Sequence, residues 1–336
     1  MSNAAQYSIT YMETGSTDPC MNLAFEEVVL NRRTQGDCLL LWQNDNTIVI
    51  GRNQNAEAEI NREFVEAHGI KVVRRETGGG AVYHDMGNLN YSFITDSGAA
   101  ERLTIERFTR PVVAALRGLG LDAEASGRND ILVSGRKVSG TAQRLKGTRI
   151  LHHGTLLFDS DPEMAAGALN VDSTKFRSKS AKSVRSRIGN IRGFLREDMT
   201  LPEFWDYLKE FLSGGDVVIS HLTEEELAEA EKLRLEKYAT WEWNFGRSPK
   251  WSVANKRKWD GGILETRVNV EHGKITDIKF YGDFLALLPV EPVAAALIGC
   301  DFRRESLAPV LGRFKTEEVF GTLTREEILD TIFYAD

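Results

Sequence analysis

A chain of 336 residues is long enough for a large core and for two domains. Its 42% hydrophobic and 27% charged content is ordinary for a globular protein, and a net charge of -7 argues against a general nucleic-acid binder. Three widely spaced cysteines, Cys20, Cys38 and Cys300, make neither a disulfide framework nor a zinc site and suit a reducing cytoplasm.

The opening MSNAAQYSIT has no basic region and no apolar core, so no signal peptide is expected, and no 18-residue apolar window announces a membrane span. Asp18-Pro19 reads as an N-cap with proline at the first helical position, which predicts a helix to about Arg32. LLLWQ (39–43) and TIVIG (47–51) read as two strands around an Asn/Asp turn. Glu57 to His68 has helical character and Gly69 ends it. KVVRRE (71–76) is a strand that runs into Gly78, Gly79 and Gly80. NLNYSFI (88–94) alternates Leu89, Tyr91 and Phe93 with Asn90 and Ser92, which predicts a half-buried strand.

Residues 106–118 predict a helix despite Pro111, 130–144 a hairpin turning at Ser134-Gly135, and 149–159 a strand. Helices are expected over 201–213 and 224–238. Composition then shifts: WEWNFGRSPKW (241–251) is aromatic with turn residues, and four of the six tryptophans fall between 241 and 259. Trp241, Trp243 and Trp251 read as domain-interface packing. The expected division is 1–246 and 250–336, with Gly246 to Pro249 suited to a hinge. Beyond it, 259–270 and 274–282 suggest a hairpin and two or three short helices follow, a small α+β module.

Three stretches carry chemistry. In RRETGGGAVYHD (74–85) the triple glycine can adopt positive φ and present backbone N–H groups to an anion, or it is a structural turn. It has neither the Walker A spacing nor a dinucleotide fingerprint. Strand alternation aims Arg74 and Arg75 at opposite faces, so one of them reaches a site. In SGRNDILVSGRKVSGTAQR (126–144), Lys137 is either a cation close to a ligand or an exposed turn lysine. Asp130 is either a turn residue or a one-carboxylate magnesium ligand. In LHHGTLLF (151–158) the adjacent histidines face opposite ways and do not share a metal. One suits hydrogen bonding to a ligand, the other packing or the surface. A further stretch, 178–196, is rich in Lys and Arg and free of acids, which suits phosphate, a partner or a solvated face.

Taken in order, these stretches with DPCMNLAFEE, NTIVIGRNQN and WEWNFG resemble the lipoate–protein ligase family over nearly the whole chain. The resemblance implies an α/β fold of mixed sheets like the catalytic domains of biotin ligases and class II aminoacyl-tRNA synthetases, with a small α+β C-terminal domain that moves after adenylation. It implies that lipoate and ATP, with magnesium, give lipoyl-AMP. The lipoyl group then passes to a lysine of a carrier, either the lipoyl domain of a 2-oxoacid dehydrogenase E2 subunit or the glycine cleavage H protein. No nucleic acid or membrane partner is implied. By that match Lys137 is the catalytic clamp on the lipoyl carbonyl and the phosphate. Arg75, Gly78, Gly79, Gly80, Ala81, Val82 and Tyr83 meet the adenylate, and Arg75 and His84 join Lys137 in holding lipoate. Asp130 holds magnesium. Arg144 and His153 are either phosphate or adenine contacts, or a surface ion pair and a satisfied strand residue. Val82, Tyr83 and residues 91–93 either line an acyl slot or are core. An octanoyltransferase of the same fold would work without ATP through a cysteine, and none follows the HHGTLLF strand. A biotin ligase would carry a GRGRxG-type loop, which is absent. A non-catalytic lipoate- or nucleotide-binding regulator is the remaining alternative.

Overall fold

A computed structural model describes residues 9–52, 54, 56–97, 105–126, 129–170, 188–246, 251–282, 284, 288 and 290–334. The chain forms two compact units, one of Met1–Arg52 with Ile70–Thr240, the other of Asn53–Gly69 with Trp241–Asp336. Strands of the first unit are β1 (Thr10–Glu13), β2 (Cys38–Trp42), β3 (Thr47–Ile50), β4 (Lys71–Arg74), β5 (Val82–His84), β6 (Asn88–Asp96), β7 (Ala123–Ser126), β8 (Asp130–Val133), β9 (Arg136–Lys146), β10 (Arg149–Leu157) and β11 (Val218–Ile219). Eight of them make a mixed sheet in the order β11-β1-β2-β6-β10-β9-β8-β7, and the other three a second sheet, β4-β3-β5. The expected α/β class with mixed sheets holds.

The local signals mostly act as read. The Asp18 side chain accepts from the Cys20 N–H, Pro19 opens the helix, and the helix runs to Arg32. The β8–β9 hairpin turns at Ser134 and Gly135, with φ of 50° and 75°, the twist that a two-residue hairpin requires. Strands β2 and β3 flank the Asn/Asp turn as read, and they belong to different sheets: β2 pairs with β1 and β6, β3 with β4 and β5. Asn46, at φ 42°, lies in the turn that carries the chain from one sheet to the other.

Strand β6 is a correction. Asn88 through Thr95 are all buried, so the strand is covered on both faces. Leu89, Tyr91 and Phe93 join the core under the helices Ile105–Gly118 and Leu201–Leu212, with Val112, Leu116, Phe204 and Leu208. The opposite face is polar. The Trp42 Nε1–H donates to Ser92 Oγ at 2.9 Å, and Ser92 Oγ donates to Glu26 of the first helix at 2.6 Å. A polar strand face usually meets water; here Ser92 and Asn90 find their partners inside the protein. Tyr91 and Phe93 therefore do not line a ligand slot, because a period of two sends them to the helix side.

The second unit holds a three-stranded antiparallel sheet of β12 (Trp251–Trp259), β13 (Gly262–Glu271) and β14 (Lys274–Gly282). The β13–β14 hairpin was expected; β12 was not. Helices Glu291–Leu297, Arg304–Leu311, Thr316–Val319 and Arg325–Phe333 follow. Residues between Ala56 and Ala67 form two short helices. There the half-buried Arg62 pairs with Glu57 and lies over the Phe333 ring at 4.9 Å. The positions 247–249 of the expected hinge and the Trp251 side chain lie outside the described residues, and Trp241 stacks on Phe245 within this unit.

Gly154 of β10 is opposite Tyr91, and a β-carbon there would stand 2.6 Å from the Tyr91 hydroxyl oxygen. Gly154→Ala is expected to cost about 1–3 kcal/mol by overpacking. The midpoint of denaturant unfolding should fall at unchanged m-value; an unchanged midpoint would show that the sheet yields at this point.

Candidate active site

Two arginines stand at the end of β4, Arg74 as its last residue and Arg75 just beyond it. Arg74 is buried and donates to the carbonyls of Gly51 and Arg52. Arg75 faces a cleft. Its Nε–H donates to Thr77 Oγ1 at 2.9 Å, Nη1 to the Val49 carbonyl at 3.0 Å, and Nη2 to the carbonyls of Gly78 and Gly80 at 2.7 and 2.8 Å. Burial lowers its pKa to about 10. The glycine loop thus wraps a guanidinium with its carbonyls, and only Gly79 of the three has positive φ, 90°. A β-carbon on Gly79 would approach Arg75 Nη2 to 3.0 Å, whereas Gly78 and Gly80 have open space at that position. Of the three glycines that can adopt positive φ, Gly79 alone uses that freedom.

Lys137 is placed by a bulge. Along β8 and β9 the register shifts between Ile131 and Leu132, so Asp130 lies opposite Gly140 and not Ser139. A β-carbon at position 140 would lie 3.2 Å from Lys137 Nζ and 3.3 Å from its Cε, so the glycine makes room for the lysine arm. Lys137 Nζ stands 2.8 Å from Asp130 Oδ1, both side chains about one-third exposed. The chain at Ile188 bridges Lys137 in parallel fashion, and the Gly189 N–H donates to the Lys137 carbonyl at 2.9 Å. Of the basic stretch 178–196, positions 178–187 lie outside the described residues.

The two histidines of β10 do face opposite ways. His152 stacks on Phe108 at 4.8 Å on the helix side. His153 lines the cleft, and both its nitrogens are engaged: Nδ1 with Glu26 Oε1 at 2.9 Å and Nε2 with Thr77 Oγ1 at 2.8 Å. Because Thr77 Oγ1 accepts from Arg75, its own proton is free for His153 Nε2, and the ring donates from Nδ1 to Glu26. In this state His153 offers its ring face and not a free nitrogen. His84 is fully buried, and its pKa falls to about 3, by desolvation first and then by the Arg75 charge. Burial does the same to His152.

Two chambers meet in this region. The first has about 630 Å³ of empty space, with Leu23, Trp42, Val49 and Asn90 alongside Arg75, Gly79, Gly80, Ala81, Val82, His84, Lys137 and His153. The second, of about 1120 Å³, has Tyr83, Arg136, Asp161, Pro162 and Asn190 among its walls. Ala81, Val82, Lys137, Gly140 and Thr155 belong to both. Gly78 and Arg144 line neither. Arg144 is drawn to Glu76 at 2.5 Å, and Glu76 also pairs with Arg52 and Lys237. Asp130 touches the site through Lys137, and among the described residues no three of His, Cys, Asp or Glu cluster as a metal site. Sequence reading missed Glu26, Thr77 and Glu76. Glu26 had one signal, an acid among apolar neighbours in NLAFEEVVL. No cysteine lines either chamber, and burial pushes the Cys20 thiol up to about 11.

The sequence matches the family models for the lipoyl protein ligase A/B catalytic domain at residues 18–213 and for the bacterial lipoate protein ligase C-terminus at 248–332. It is 42% identical to the lipoate-protein ligase LplJ of Bacillus subtilis, covering 94% of this chain and 97% of that one. Among solved structures, the bi-partite lipoate protein ligase of Thermoplasma acidophilum, studied with its E2 lipoyl domain, is 34% identical. It superposes with a TM-score of 0.65 over 73% of this chain and 98% of its own. A lipoate-protein ligase A bound with ATP is 30% identical, with a TM-score of 0.61 over 72% and 99%.

The buried histidines set an acid limit. Each holds a proton more readily unfolded, near its ordinary 6.5, than folded, near 3. The stability they contribute is complete above pH 6.5 and is lost as pH falls toward 3. Within that window each steepens the loss by about 1.4 kcal/mol per pH unit. His152→Phe, which keeps a ring against Phe108, should remove one such increment when unfolding midpoints are compared between pH 7 and 4; an unaltered slope would contradict it.

Proposed function

Because this chain belongs to the lipoyl protein ligase family, we propose that it activates lipoate with ATP and transfers the lipoyl group to a lysine of lipoyl carrier proteins. The observation that carries the reading is the position of Lys137, on the wall that both chambers share. The first chamber, with Leu23, Trp42 and Val49 on its walls, takes the acyl chain; the wider second chamber takes the nucleotide. The lipoate carboxylate attacks the α-phosphate, pyrophosphate leaves, and a mixed anhydride forms. Negative charge grows on the phosphoryl oxygens, and a fixed cation at the junction stabilises it without reorganising. The carrier amine then attacks the lipoyl carbonyl. Lys137 steadies the oxyanion, and AMP departs without a strong acid.

Arg75 holds Gly78 and Gly80 by their carbonyls, which leaves Gly79 to Val82 facing the ligands. Ala81 and Val82, which follow the glycines and line both chambers, bring the main chain beside the adenylate at the junction. Tyr83 borders the nucleotide, and Arg144 reaches its phosphates on leaving Glu76. Asp130 offers one carboxylate, about one-third exposed, which suits an ion that takes one or two carboxylates and substrate phosphates. It would hold magnesium, whose charge neutralises the phosphates when bound. The carriers are E2 lipoyl domains and the glycine cleavage H protein, the reaction is cytoplasmic, and 1–246 and 250–336 act as catalytic and accessory domains. No helix among the described residues is long and apolar enough to cross a membrane.

Intact mass of an apo lipoyl domain tests the reading. With lipoate and Mg-ATP the lipoyl mass should appear, and Lys137→Ala should slow it by about 10²–10³. Modification from octanoyl-acyl carrier protein without ATP would make the protein a transferase. Lipoate binding without any modification would make it a regulator.

A further inference from the structure

His84 lines the first chamber, and its Nε2 is buried with no hydrogen-bond partner among the described residues. Which nitrogen carries the proton decides whether that atom is a donor or an acceptor. The structure settles it through two asparagines. The Gln43 carbonyl has no proton to give, so the Asn22 atom 2.6 Å from it is the amide nitrogen, Nδ2. That same nitrogen lies 2.9 Å from an Asn44 side-chain atom, which must then accept and is Oδ1. The other Asn44 atom is Nδ2, and it donates to His84 Nδ1 at 3.1 Å. An Nδ1 that accepts has no proton, so the ring's proton sits on Nε2. Asn22 and Asn44 are wholly buried, and the Trp42 ring meets His84 edge-on at 6.4 Å, so neither the amides nor the ring turns freely.

We propose that Asn44 is a positioning residue which, anchored by Asn22 on a main-chain carbonyl, holds His84 as its Nε2–H tautomer and so gives the acyl chamber a fixed hydrogen-bond donor. The inference rests on assigning that chamber to lipoate, whose acceptors are its carboxylate oxygens and, more weakly, its ring sulfurs. An unpaired buried donor favours whatever ligand supplies an acceptor. The nearby Arg75 charge also disfavours a second proton on the ring, so the donor stays neutral. Selection thus comes from a dipole with a defined direction beside a guanidinium that is already engaged.

Nitrogen-15 spectra of the full-length protein labelled in histidine read the tautomer directly, with His84→Gln to assign the ring. In the wild type, His84 should be protonated at Nε2 and bare at Nδ1. Asn44→Asp offers only acceptors, so the proton should move to Nδ1. Lipoate affinity, measured by calorimetry without ATP, should then fall about tenfold, the weight of one buried hydrogen bond. Asn44→Leu, which removes the relay and adds no charge, should leave both tautomers populated and weaken lipoate in the same direction. A wild-type ring protonated at Nδ1 would overturn the proposal, and so would a flipped ring in Asn44→Asp with unchanged lipoate affinity. The tautomer is read without substrate. A wild type that bound no lipoate would therefore sink the assignment of the chamber, while the spectra still decided the relay.

Discussion

One buried guanidinium organises the cleft. Arg75 is almost wholly out of water, and four acceptors hold it: Thr77 Oγ1 and the carbonyls of Val49, Gly78 and Gly80. A buried charge of this kind is tolerable only when its donors are paired. The loop must therefore fold around it, and only a glycine at position 79 meets both the positive φ and the close guanidinium. From Thr77 the network continues through His153 to Glu26, then to Ser92 and Trp42. Helix, sheet and loop are joined by one chain of hydrogen bonds, so the wall of the cleft moves as a unit or not at all.

The large sheet supplies the other half of the site through its two faces. On β6 and β10 the apolar residues pack under helices, and the alternate residues Asn90, Ser92, His153 and Thr155 face the cleft side. Farther along, the bulge in β8–β9 replaces a serine with Gly140 opposite Asp130. That missing side chain is what lets Lys137 cross to the junction of the chambers. Rigid strands thus carry the cation, while the glycine loop carries the close approach of the main chain.

Much of this was legible in order along the chain. The proline-led helix, the Ser134-Gly135 turn and the opposite facing of His152 and His153 follow from local sterics and a period of two. What was not legible depends on distant partners. Alternation in NLNYSFI predicts one wet face, and only a helix covering that face makes it a buried polar wall. Arg144 reads as a ligand contact until Glu76, 68 positions earlier in sequence, draws it away. The bulge beside Lys137 has one local sign, Gly140 within the strand, which does not by itself fix the shift in register. Residues 53–69 cluster with the second unit, where Arg62 lies over the Phe333 ring, a pairing that no local pattern encodes.

Arg75 shapes the glycine loop, the proposed place of the adenylate, and one substitution tests what that shaping is worth. Lysine keeps the charge, but a compact ammonium on a flexible stem cannot span the same four acceptors. The measurement is lipoate-dependent pyrophosphate release from Mg-ATP by Arg75→Lys. The rate should fall about 10²-fold, the weight of a lost preorganised contact. A rate equal to that of the wild type would mean that positive charge alone suffices and that the loop forms without its guanidinium.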